Sequence, residues 1–290
     1  MRITTVCLLA LAGASIGCGG SDATQAVALK FAANVDGAPA RCGTTYTDLG
    51  TAGSSAQLAS ARMYVSNVEL RDAGGTWVPL TLDEGTRWQG EGVTLLDFDD
   101  ASAKCADTGT PGTNDQITGT LPAGTYDALR FTLGVPFALN PGDTASASPP
   151  LDEPTMFWTW NNGRQFLSVD WAVDDGAVPE WKLHIGSTAC ASSGPPVPPD
   201  AECGRPNRAT IELDDFHPDA DVVAVDLGAL IAGANISTNV ADTPPGCMTG
   251  LTEADDCSAP FSAIGLSFET GACVEGCTGQ TVFTVASRAR

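Results

Sequence analysis

Hydrophobic and polar residues alternate over short runs along most of the chain. Val27, Leu29, Phe31, Ala33 and Val35 recur at every second position up to Asp36-Gly37, which predicts a strand closed by a turn. Further runs of strand character lie at 62–70, 77–82, 93–98, 116–121, 126–135, 166–173, 181–185, 210–213 and 222–227. Clusters of Gly, Pro, Asp or Asn divide most of them, and the stretch 41–60 reads as a loop pinned by Cys42. Beyond about Ala241 the chain turns rich in Gly, Thr, Asp and Cys, with last strand candidates at 264–268 and 281–285. Only 225–234 carries a short helical pattern. Many short strands separated by turn residues predict an all-β protein, an antiparallel β-sandwich or β-barrel with few short helices.

The first residues follow a different pattern. Arg2 precedes an apolar run from Val6 to Ala14, and Ser15-Ile16-Gly17 lead into Cys18. This resembles a bacterial lipobox, so residues 1–17 are expected to be a signal peptide and Cys18 the site of lipidation. The apolar run is too short to span a bilayer, so membrane contact is expected through the lipid anchor only. Residues 18–26 read as a flexible tether and 27–290 as a single β domain with a Cys-rich C-terminal section. The expected location is periplasmic or at the cell surface, anchored to the outer membrane.

Export changes the reading of the cysteines. Of ten, Cys7 and Cys18 belong to the processing segment, and an even number remains for an oxidising compartment. Proximity suggests Cys190–Cys203, Cys247–Cys257 and Cys273–Cys277, leaving Cys42–Cys105, while other pairings stay open. Net charge is −21, from 35 acids against 14 bases, which argues against a nucleic-acid partner.

Chemistry concentrates between Leu129 and Cys190. This stretch holds Trp158, Trp160, Trp171 and Trp181 of six tryptophans, together with Met156 and His184, one of two histidines. Alternation puts Trp181, Leu183 and Ile185 on one face, and Lys182, His184 and Gly186 on the other. Trp158 and Trp160, two apart, would share a strand face. Imidazole and thioether suit copper(I), so His184 and Met156 are candidate ligands. A third donor would have to come from His217, Met63, a carboxylate or an altered side chain. Zinc fits less well once disulfides remove the thiolates. The acidic groups Asp97, Asp99, Asp100 and Asp170, Asp174, Asp175 lack the spacing of a calcium loop and read as solvated acids. No triad, phosphate loop or dinucleotide fingerprint is present, and the chain is not expected to be an enzyme.

Several segments together resemble the MbnP-like copper-binding proteins, which are found beside methanobactin genes and elsewhere. They are MYVSNV (63–68), VPLTLD (78–83), WQ (88–89), LLDFDD (95–100), LRFTLGVPFALN (129–140), MFWTW (156–160), HIGSTAC (184–190), NRATIEL (207–213) and GLSFE (265–269). The resemblance implies a β-sandwich or β-barrel that binds copper outside the cytoplasm. It also implies a di-haem peroxidase-like partner that oxidises a tryptophan to kynurenine, whose aromatic amine joins imidazole as a ligand. Trp158, Trp160 and Trp88 are the candidate tryptophans, and His184 matches the family's HxGSTxC-type segment. Family members often carry histidine where this chain has Ser66 and Pro141. The alternative function is a metal-free surface lipoprotein that binds carbohydrate, peptide or protein through its aromatic cluster.

Overall fold

The computed structural model describes residues 23–288 apart from 195 and 251. The signal peptide, Cys18 and most of the tether lie outside the described residues. Ten principal strands run in order: β1 (Thr24–Val35), β2 (Ser54–Asp72), β3 (Val93–Asp97), β4 (Gln116–Pro122), β5 (Tyr126–Leu133), β6 (Gly163–Val173), β7 (Glu180–Gly186), β8 (Ala209–Asp214), β9 (Asp221–Asp226) and β10 (Phe283–Ser287). Two helices, α1 (Leu227–Ile231) and α2 (Ala254–Ala263), are short. The fold is all-β, as the alternation predicts.

The strands form two sheets. The smaller runs β10–β9–β1–β4 and ends in the short strand Thr81–Leu82. The larger runs β8–β5–β2–β6–β7 and ends in Gly246–Cys247, while β3 also pairs with β2. Most pairings are antiparallel, but β1 lies parallel to β9 and β7 parallel to Gly246–Cys247. Alternate residues of both sheets meet in one core. Leu29 and Phe31 of β1 and Val223 and Val225 of β9 join Met63, Val65, Phe131, Val169, Trp171, Leu183 and Ile185 of the larger sheet. Burial of this apolar surface is the main favourable term in folding.

β2 organises the larger sheet because it is long enough to take partners in succession. Thr45–Leu49 pairs with its start, β6 with residues up to Met63, and β5 with residues from Val65 onward. From Ala61 to Ser66 every residue is at most 1 % exposed, so both faces of the strand are covered here. Ala61, Met63 and Val65 face the core; Arg62, Tyr64 and Ser66 face loops that close over the opposite side.

Three local expectations need correction. The stretch 41–60 is not one loop: it contains Thr45–Leu49 and the start of β2. Residues 264–268 form turns rather than a strand, because α2 precedes them and Gly265, at φ 78°, reverses the chain. α2 itself has a weak apolar pattern and a proline, Pro260, inside it. The cysteines pair as Cys42–Cys105, Cys190–Cys203, Cys247–Cys257 and Cys273–Cys277, the set that proximity suggests.

Candidate functional site

The covered face of the larger sheet carries most of the predicted site residues. β7 does what its alternation requires: Trp181, Leu183 and Ile185 are fully buried in the core, and His184 projects the other way. His184 pairs across the strands with Ser168, and Asp170 with Lys182. On this face the His184 Nε2 lies 2.8 Å from the Asp170 Oδ1. Both side chains are largely withdrawn from water, at 13 % and 8 % exposure. An imidazole held by a carboxylate at one nitrogen is the usual support of a metal-binding histidine.

One residue pair along β7 is Gly186, and its lack of a side chain matters. A Cβ there would stand 2.8 Å from the Trp158 Cζ3, so the indole lies directly over this glycine, which shares its strand face with His184. Gln165 pairs with Gly186, and its Oε1 is buried without a hydrogen-bond partner.

The other predicted residues are dispersed. Trp158 lies in the strand Phe157–Thr159, which ends before Trp160; the latter begins a turn, so the two do not share a strand face. Met156, 1 % exposed, packs with Tyr64, Val93, Leu95, Val135, Leu151 and Phe166, and Trp88 packs against this second apolar cluster. Trp88 is also covered by the Arg87 guanidinium, 4.3 Å from its ring centroid. Met63 faces the main core, and His217 is exposed, near the Tyr126 carbonyl at 3.2 Å.

Next to the His184 row lies a buried polar group that the sequence did not announce. Arg62 Nε is 3.3 Å from Asp97 Oδ2, and its Nη2 is 3.1 Å from Asp99 Oδ1. Arg62 also donates to the Thr155 hydroxyl and the Thr108 carbonyl, and Ser60 stands between Asp99 and Ser168, 3.4 Å from each. Burial pushes the Asp97 carboxyl up to about 7 against the pull of Arg62. Burial also raises Asp99, again opposed by Arg62. For Arg62, burial alone would lower the guanidinium, but the two aspartates outweigh it. Asp97, Asp99 and Asp170 are therefore buried and paired, not the solvated acids expected above. Asp100 is one: it is exposed and accepts from Ser102. Alternation could have flagged Arg62, which falls on the same strand face as Tyr64 and Ser66, but nothing local says that this face is roofed.

Copper can be tested against these donors. At the positions where the resemblance implies histidine, Ser66 is fully buried and donates to the Gly134 carbonyl at 2.8 Å, and Pro141 lines a shallow groove of about 330 Å³ with Leu139, Leu151 and Arg164. Arg164 is in turn fixed by the carbonyls of Leu151, Leu139 and Asn140. That end offers no imidazole and does not fit the metal. The His184 end offers one carboxylate-held imidazole, with an indole over the glycine two residues further on. A cluster of Cys247, Glu253 and Cys257 also has metal-like spacing, but both sulfurs are bound in a disulfide. A groove of about 730 Å³ between Val68 and Leu80 holds none of the predicted residues. Among the described residues no helix is long and apolar enough to cross a membrane.

No curated protein sequence matches the chain. The family model MbnP matches residues 24–249. Among solved structures, MbnP from Methylosinus trichosporium superposes with a TM-score of 0.79 at 31 % identity, covering 92 % of this chain and 100 % of that one. A family match over most of the chain and a solved relative at 31 % identity that covers 92 % of it show that the chain belongs to the MbnP family.

Proposed function

We propose that this is an exported copper-handling protein, without enzymatic activity of its own, that binds copper through His184 rather than through the positions of Ser66 and Pro141. The observation that carries the reading is the Asp170–His184 pair beside Trp158 on one covered face. Family membership supports the association with copper and methanobactin, and the apolar leader before Cys18 supports export with a lipid anchor.

Of the three candidate tryptophans, Trp158 is the one we assign to modification, because its ring overlies the residue next but one to His184. Oxidation to kynurenine breaks the indole C2–C3 bond and places one oxygen atom on each carbon; water then hydrolyses the N-formyl group, releasing C2 as formate. A di-haem peroxidase-like partner would supply the oxidant. The product carries a free aromatic amine, a better ligand than the indole nitrogen, on the side chain that covers Gly186. Copper bound there would be held by nitrogen donors, the imidazole and the new amine. The protein's own part is to fix the imidazole through Asp170 on a face where both side chains are largely withdrawn from water. Met156 packs in the apolar cluster of Tyr64 and Phe166 and is left out of this ligand set.

Anaerobic copper(I) titration against a competing chelator tests the reading. The wild type should retain about one copper per chain, and His184→Ala should lose most of it. Equal retention by both would refute the assignment. Intact mass with and without co-expressed di-haem partner, followed by peptide mapping, should place any kynurenine at Trp158. The aromatic-surface alternative predicts instead that tryptophan fluorescence responds to glycans or peptides and not to copper.

A further inference from the structure

We propose that Asp170 is a positioning residue that keeps the His184 proton on Nε2 and leaves Nδ1 as the nitrogen open to a metal. The metal half of this statement rests on the copper reading above, whereas the place of the proton can be read with no metal present.

A carboxylate has oxygen acceptors and no proton to give, so the 2.8 Å contact between Asp170 Oδ1 and His184 Nε2 requires Nε2–H as the donor in the neutral ring. A neutral imidazole with its proton on Nε2 carries its lone pair on Nδ1. Nδ1 has no hydrogen-bond partner among the described residues. The pair is also rigid. His184 and Asp170 are diagonal neighbours on the antiparallel strands β7 and β6, one register step apart, so neither sits on a loop. Lys182, directly opposite Asp170, turns its ammonium to Glu180 at 3.1 Å and leaves the carboxylate for the histidine. Low exposure of both partners means that water competes weakly for the bond.

The test is long-range 1H–15N correlation on the copper-free, 15N-labelled protein at a pH where the ring is neutral. Exposed His217 serves as an internal reference. His184 should show a pyrrole-type Nε2 and a pyridine-type Nδ1; the reverse pattern would overturn the proposal. Asp170→Ala should give a mixture of tautomers and a copper(I) affinity lower by about 10–100-fold. Asp170→Asn keeps an acceptor oxygen and should restore the single tautomer. If Asp170→Ala leaves the tautomer unchanged, Asp170 is not what positions the ring. If the alanine variant does not fold, the wild-type spectrum still decides where the proton lies. The two readings fail separately: unchanged copper binding by His184→Ala removes the metal assignment, while the copper-free spectrum alone judges the proton.

Discussion

The two ends of the covered face are built from similar materials to opposite effect. At the Ser66 end, Arg164, Ser66 and Asn140 spend their polar atoms on backbone carbonyls and amides, and Tyr64, Phe166 and Met156 fill the remaining space. At the His184 end, the carboxylate–imidazole pair is intact, one ring nitrogen is free, and a glycine makes room for an indole. The first end is closed by satisfied bonds and packing; the second keeps donor atoms available. Two ends of one covered face therefore differ in whether their polar atoms are spent on the backbone or left available.

That contrast can be broken most severely at Arg62, which lies between the two ends. Arg62→Ala would leave Asp97 and Asp99 buried without a counter-charge, and urea unfolding should show a loss of about 3–5 kcal/mol. A variant as stable as wild type would mean that the roof over this face is open in solution. Gly186→Ala attacks the open end. Its new methyl group would meet both the Trp158 ring and the Arg164 carbonyl, the latter at 2.5 Å. A loss of about 1–3 kcal/mol is expected, with red-shifted tryptophan emission as the indole is displaced.

The smallest effect concerns pH. The Asp97 carboxyl is raised from 3.8 to about 7 by burial, so the folded protein holds this proton more tightly than the unfolded chain does. The stabilising contribution is complete below about pH 4 and fades as pH rises through 7. Between pH 6 and 8 the wild type should lose about 1–2 kcal/mol that Asp97→Asn does not lose. Parallel pH profiles for the two proteins would remove Asp97 as the titrating group.

Period-two alternation made the strands legible, since one face of each is core, and it oriented His184 correctly. The cysteine pairs were legible because neighbours in sequence are the easiest to join. Most of what escaped depends on a second layer over the sheet. Arg62, Asp97 and Asp99 look like surface residues until the segments 97–109 and 153–156 fold over them. Trp160 was paired with Trp158 by spacing alone, and the strand stops one residue too soon. Residues 254–263 hid their helix behind small side chains and Pro260, while the false alternation of Ile264, Leu266 and Phe268 suggested a strand.

The Cys42–Cys105 cross-link bears on how the protein must be made. It ties the segment after β1 to the short turn that precedes Thr108, whose carbonyl caps the Arg62 guanidinium. In a reducing cytosol that tether would be missing, and the cap would be held by non-covalent contacts alone. Recombinant material should therefore be produced along an oxidising secretory route. Otherwise preparations identical in sequence would differ in how readily solvent reaches the arginine.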